Sequence, residues 1–458
     1  MVAVLLLLGA VLRGVTEAAY RPALIFPDSV RYLEYAHNFA HGHWAVDDQR
    51  QSGYSILILP AAAEHAIWLI PLVQHLAGLA SAVLIYAVLT RYKARRWLAA
   101  LATIPVLFDP LQLILEQYVL TDVWTVFLVL AALALLVGRR DWRASAGAGL
   151  LLGIAVAFRD EELIMIIPAV IYLIVARRSL KQLTALVVCF LIPVTAYLGW
   201  FDATRGHWNF TTFSGAFLYG RVADFADCTG LTLPAYEKPL CPTQPPAQRV
   251  ADYYTWNPAS PQWTFTVPPG KSRDSVAEDF SIRILKHQPA AYAEAVTKDF
   301  LYGFSPVRGA GPEHYSPSYL KFHQQIPPDP QAAASLAAIG IGWPASNQAL
   351  AGFLSGYWFY IPGPLLAAGL LIGLAGAFVK RDKQALLFSL SAVAVLIPPA
   401  MFATFDWRYQ LPQLTLIPVA AVLAITALTA TAGTAESGRP AAATEDLPAP
   451  PPVPPTGR

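Results

Sequence analysis

Apolar runs long enough to cross a bilayer recur from one end of this chain to the other, and this limits the fold before any motif is weighed. Repetition at that length predicts a polytopic, mostly α-helical membrane bundle of about ten transmembrane helices. Charge agrees: 14% of the 458 residues are Asp, Glu, Lys or Arg, and 55% are hydrophobic. Soluble chains carry about a quarter charged residues. A net charge of +2 gives no case for a nucleic-acid partner. The basic residues gather in four short clusters between apolar runs: Arg91, Lys93, Arg95 and Arg96; Arg139, Arg140 and Arg143; Arg177, Arg178 and Lys181; Lys380, Arg381 and Lys383. Cytoplasmic loops collect such residues, so these clusters set the orientation. The alternate turns are acidic, and Asp109, Glu116, Asp122, Asp160, Glu161, Glu162 and Asp406 are all expected outside.

Read in order, residues 1–200 hold seven spans, with a first outside loop over 20–66. The VTEAA stretch loosely allows a cleaved signal peptide, but no basic residue precedes the first apolar run, and a retained first span is preferred. In the loop, Pro27 ends the first run, and Val30, Leu33, Ala36 and Ala40 fall at helical spacing on one apolar face. A second short helix is expected over Tyr54 to Leu59, too short to cross. Both are read as juxtamembrane helices. In span five, Ala146, Gly147, Gly149 and Gly153 permit close helix packing. Residues 201–344 turn polar and rich in Pro, Gly, Trp and Tyr, and are read as a mixed extracytoplasmic domain beginning with a strand-like FTTFSGAFLYG. One continuous span over about Leu350 to Val379 and two more complete residues 345–430. The Ala-, Pro- and Thr-rich tail, 431–458, is expected to be disordered and cytoplasmic. Cys228 and Cys241 bracket a Pro-rich loop in the outside domain and form a natural disulfide in an oxidising compartment. Cys189 lies inside span seven and reads as a small core residue.

Chemistry on a membrane-embedded donor needs an outside carboxylate, cations for a phosphate and an apolar groove for a lipid tail. Asp28 is the first carboxylate candidate, since it opens the loop helix with Tyr32 and Tyr35 projecting nearby at headgroup level. The alternative is that Asp28 only caps that helix. Glu116, Tyr118, Asp122 and Glu161 follow as outer-surface groups for a substrate. Cation candidates are Arg408 in FDWRYQLP, Arg159 at the end of span five, and Arg50. Guanidinium forks match phosphate oxygens, and an Arg at a span boundary is costly unless paired, snorkelling or employed. Arg408 beside Trp407 and Tyr409 also reads as an interfacial anchor, and Arg159 as a partner of Asp160 or Glu162. No pair of cysteines has zinc-ligand spacing. His41 and His43 near Asp47 and Asp48 are a weak metal signal; a divalent cation, Mg or Mn, is compatible with these residues and not required by them.

Taken together, these pieces resemble the GT-C fold glycosyltransferases that use polyprenyl-phosphate sugars, such as protein O-mannosyltransferases and the aminoarabinose transferase acting on lipid A. The matching stretches are PDSVRYLEYAHNFAHGHW, RQSGYSILIL, EQYVLTD, RDEEL and RYQLP, in that order and on one expected side. The resemblance implies that Asp28 activates the acceptor nucleophile, that sugar transfer proceeds with inversion, and that Arg408 with Arg159 stabilises the departing lipid phosphate. Partners would be a polyprenyl-phosphate sugar, membrane lipid, and a glycan, lipid or protein acceptor. The alanine-rich composition looks bacterial, so the expected site is the extracytoplasmic face of a bacterial cytoplasmic membrane. Ser29 stands where many relatives carry a second acidic residue, and Gly53-Tyr54 where a Pro-Pro pair is usual, which leaves metal use and acceptor class open. The rivals are a transporter or flippase of lipid-linked sugars, which should bury ionisable residues at the midplane, and a non-catalytic polysaccharide-assembly protein.

Overall fold

A computed structural model describes residues 1–309 and 317–436. Helices dominate it, as expected; the two strands, Tyr20–Arg21 and Ala345–Ser346, are two residues each and pair antiparallel. That small sheet ties the end of the first helix, Val2–Ala19, to the segment leading into the last helices. Five helices are long and apolar enough to cross a bilayer among the described residues, or six if one bent pair counts as a single crossing. Asp122–Gly138, Trp142–Phe158 and Gly363–Val379 are apolar but 17 residues long. By that measure the count falls short of ten.

Small residues set the tightest packing. A Cβ on Gly149 would lie 2.1 Å from the carbonyl oxygen of Leu186, and one on Gly153 2.4 Å from that of Phe190. Trp142–Phe158 and Leu180–Arg205 therefore touch backbone to backbone. Gly53 does the same for the second loop helix, Gly53–Ala63, where a Cβ would lie 2.4 Å from the Ala157 oxygen.

The four basic clusters collect at one end of the bundle. Tyr92 donates to the Val137 oxygen at 2.7 Å, Gln384 to Tyr92 at 3.3 Å, Lys181 lies 4.9 Å over Trp142, and Arg177 shares a surface hollow with Arg381 and Lys383. The helix Leu69–Arg91 runs from this end to the opposite one, where Gln74 donates to the carbonyls of Glu116 and Tyr118.

Three expectations need correcting. The eighth span is not one helix: Gln348–Ser355 and Gly363–Val379 are separate, because Gly356 and Pro362 interrupt the run. The strand-like start of the outside domain is helical from Ser214 to Ala223, and helices Arg273–His287 and Pro289–Tyr302 follow. Tyr219 and Val222, three apart on one face of that helix, are buried with Phe280 and Ile284 in a core separate from the main one. Cys228 and Cys241 are joined beside that core, while Cys189 is partly buried on the helix Leu180–Arg205. Lastly, the final helix runs through Glu436, beyond the expected start of the tail at 431; residues 437–458 of that tail lie outside the described residues.

Candidate active site

Pro27 and Phe26 start the loop helix Pro27–Ala40, but Asp28 does not cap it. Ser29 does, its hydroxyl accepting from the Phe26 N–H at 2.9 Å. The buried face is Asp28, Ser29, Tyr32, Leu33, Ala36 and Phe39 rather than one ending at Ala40, which is exposed. Phe39 closes it by stacking on Trp44 at 5.1 Å.

Freed from capping, the Asp28 carboxylate is gripped from two sides. Arg50 donates to Oδ1 at 2.8 Å and Arg408 to Oδ2 at 3.1 Å, bringing residues 380 positions apart into contact. Burial works against its ionisation, but the charges of Arg50 and then Arg408 outweigh it and hold the carboxyl well below the usual range. Arg408 sits on the turn Trp407–Gln410, shaped by Asp406, whose carboxylate accepts from the Arg408 N–H at 3.2 Å. Its guanidinium lies 5.2 Å over Phe26 and 5.5 Å over Tyr409. Arg408 is thus a paired residue of a cluster, not a free anchor.

Arg159 completes the set. It ends the helix Trp142–Phe158, donates to Asp122 at 2.7 Å and Glu161 at 2.6 Å, and lies 5.2 Å over Tyr409. Its expected partners Asp160 and Glu162 are next to it but are not its ion pairs. Burial pushes the Asp160 carboxyl up to about 6 and that of Glu162 up to about 7, with Arg159 pulling both down. Asp122 Oδ2 and Glu162 Oε2 are buried without a hydrogen-bond partner among the described residues.

Two cavities meet at Asp28, Arg50, Arg408 and Tyr409. The first, about 470 Å³, has a polar side with Tyr32, Arg159, Asp160 and Glu161 and an apolar side formed by Leu163, Ile164, Pro398, Met401 and Phe402. The second, about 480 Å³, is walled by the segment after residue 201, with Phe217, Arg221, Asp252 and Trp256, and by Arg31 and Asp406. Both are of ligand size. Arg50 forms part of the partition, stacked 4.9 Å over Trp256 and 5.3 Å over Phe217.

Of the residues picked from sequence, Asp28, Arg50, Arg159, Arg408, Tyr32, Asp122, Glu161 and Tyr409 come together here. Three do not. Glu116 is fully buried, paired with Arg13 at 2.7 Å and with His75 at 2.7 Å, and also bonded by Gln112 at 2.8 Å. The helix Pro110–Gln117 bends 50° from the preceding pair of helices and carries Glu116 into the bundle instead of to its surface. Tyr118 donates its hydroxyl to the Tyr319 carbonyl at 2.7 Å, and Tyr35 accepts from Arg205 at 3.1 Å. Asp47 and Asp48, weighed as metal ligands with His41 and His43, are instead the ion-pair partners of Arg31, the Asp48 contact being 2.6 Å. No group of three or more His, Cys, Asp or Glu residues is arranged to hold a metal among the described residues. Sequence reading missed Phe217, Asp252 and Trp256, which belong to no motif.

Residues 53–200, about a third of the chain, match the family described as Dolichyl-phosphate-mannose-protein mannosyltransferase. The match takes in most of RQSGYSILIL and all of EQYVLTD and RDEEL, while PDSVRYLEYAHNFAHGHW and RYQLP lie outside it. No curated protein sequence matches the chain. Among solved structures, the S. cerevisiae protein O-mannosyltransferase Pmt1–Pmt2 complex bound to the sugar donor is 16% identical, with a TM-score of 0.35, over 50% of this chain and 37% of that one. The oligosaccharyltransferase AglB of Archaeoglobus fulgidus, with an inhibitory peptide and dolichol-phosphate, is 11% identical, with a TM-score of 0.40, over 94% of this chain and 51% of that one. ArnT of Cupriavidus metallidurans bound to undecaprenyl phosphate is 13% identical, with a TM-score of 0.39, over 95% of this chain and 79% of that one. The chain thus spans 37% and 51% of the first two, and all three likenesses are distant.

Proposed function

We propose that this protein is an integral membrane glycosyltransferase that moves a sugar from a polyprenyl-phosphate donor to an extracytoplasmic acceptor by inverting displacement. The observation that carries the reading is the meeting of two cavities at one carboxylate, Asp28, held between Arg50 and Arg408. The first cavity, with one apolar side, suits a lipid-linked donor: its phosphate lies against Arg408 and Arg159, and the polyprenyl chain leaves along Pro398, Met401 and Phe402. The acceptor arrives through the other cavity. Asp28 draws the acceptor's O–H into a hydrogen bond and activates it for attack on the anomeric carbon. The departing phosphate gains no covalent help; it is stabilised by guanidinium groups already in place, whose charges need no rearrangement as the bond breaks.

The site faces outward from a bacterial cytoplasmic membrane, opposite the end that collects the basic clusters. Should a divalent cation take part, Asp122 and Glu162 each have a buried oxygen to spare for it. The transporter reading draws on one observation, the ionisable trio Arg13, His75 and Glu116 buried among the helices. Its members bond to one another, and the terminal nitrogens of Arg13 donate also to the carbonyls of Gly9, Val106 and Leu107, which suits a structural clamp better than a relay.

Mass spectrometry of lipid-linked sugars and of envelope glycans, in cells with and without the gene, tests the reading. Loss of the gene should cause one polyprenyl-phosphate sugar to accumulate and one glycosylated product to vanish together; no change in either contradicts it.

A further inference from the structure

The second cavity contains a carboxylate that the reading above leaves without a task. Asp252 lies on the short helix Ala251–Trp256 and lines the same cavity as Asp28, Arg50 and Arg408. It is half-buried, and among the described residues no hydrogen bond or ion pair engages its carboxylate. Asp28 is its opposite, with each oxygen taken by a guanidinium. A carboxylate so held accepts a hydrogen bond readily but retains a proton badly. The charged groups facing Asp252 across the cavity are Asp28, Arg31 and Arg50 from the first loop and Asp406 and Arg408 from the start of the last helix. Arg221 faces it from its own segment. Burial raises the Asp252 carboxyl above its ordinary value; Arg408 opposes this, Asp28 adds to it and Arg50 opposes it.

Resting on the glycosyltransferase reading, we infer that Asp252 receives the proton of the acceptor hydroxyl, while Asp28 orients that hydroxyl. Activation and proton disposal are then divided between two carboxylates lining one cavity. In the step, the acceptor oxygen bonds to the anomeric carbon and the bond from that carbon to the lipid phosphate oxygen breaks. The electron pair of that bond stays on the phosphate, beside Arg408. The acceptor's proton passes to an Asp252 oxygen and from there to water.

The test uses the full chain in vesicles, with polyprenyl-phosphate mannose, glucose and arabinose as donors and water as acceptor, reading release of polyprenyl phosphate across pH 4–9. Asp252→Asn should lower turnover about 100-fold or more. It should leave donor affinity unchanged and remove the acid limb in which wild-type turnover falls about tenfold per pH unit. Asp252→Glu should restore part of the turnover and the limb, which a merely structural residue would not do. Wild-type turnover and an unchanged acid limb in Asp252→Asn overturn the inference, as does an equal loss in Asp252→Glu. If the wild type releases nothing from any of the three donors, the glycosyltransferase reading itself fails and takes this inference with it. A wild-type-like Asp252→Asn beside an inactive Asp28→Asn removes only the inference.

Discussion

Asp28 and Glu116 are both acidic residues near the end of an apolar run, and both are held by arginine, yet the fold uses them differently. Glu116 is completely enclosed, and the room for it exists only because residue 78 is glycine: a Cβ there would lie 1.8 Å from Oε1. Arg13 also donates to the carbonyls of Val106 and Leu107, next to the break between the bent helices, so the cluster fastens the first helix to that break. Asp28 is also mostly buried, but its arginines border two cavities and can exchange a carboxylate for a phosphate. An ion pair between packed helices holds structure; the same pair at a cavity wall is free to do chemistry.

Substitutions should separate the two. Asp28→Asn is expected to cut sugar transfer by about 100-fold or more in a donor-release assay, with the protein still folded and lipid binding largely intact, though less stable because Arg50 and Arg408 lose their shared countercharge. Wild-type turnover would remove Asp28 from the chemistry. Glu116→Gln should do the reverse. Leaving Arg13 buried without a countercharge costs about 3–5 kcal/mol of stability, read by thermal denaturation in detergent, while the folded fraction keeps its turnover. A stable but inactive Glu116→Gln would move that cluster into the mechanism and favour the transporter reading. Arg408→Ala should weaken binding of a labelled polyprenyl-phosphate sugar about tenfold to 100-fold, the worth of one charge-assisted bond; unchanged affinity would end its role as phosphate ligand.

The smallest effect concerns pH. Asp160, raised to about 6, and Glu162, raised to about 7, take up protons as pH falls, leaving Arg159 less compensated. A polyprenyl-phosphate sugar is a diester of constant charge over this range, so its affinity should tighten several-fold from pH 8 to pH 5.5, about a kcal/mol. The sign follows from burial: the folded state binds these protons more readily than the unfolded chain, so their contribution to stability is lost as pH rises. Affinity that weakens on acidification would contradict the assignment of Arg159.

The sequence made much of this legible, for a physical reason. Asp28, Arg159 and Arg408 stand out because a charge at the edge of an apolar run is costly and must have a partner or a task. The glycine pattern of Gly149 and Gly153 foretold close packing because only a missing Cβ allows it. Glu116 was misplaced since the same edge signal cannot reveal a 50° bend that turns the helix inward. Gly356 and Pro362 mark the break in the expected eighth span, but hydropathy summed over a window hides them. Phe217, Asp252 and Trp256 had no signal at all: they lie on short helices whose positions are set by contacts far away in sequence, such as the salt bridge from Arg221 to Asp299 at 3.0 Å.

The central claim is spatial, and a cryo-electron microscopy map of the protein with a bound polyprenyl-phosphate sugar tests it most directly. The phosphate is expected within hydrogen-bond reach of Arg408 and Arg159, the sugar beside Asp28, and the lipid chain along Met401 and Phe402. Density for the phosphate at the opposite end of the bundle, among Arg177, Arg381 and Lys383, would contradict the account.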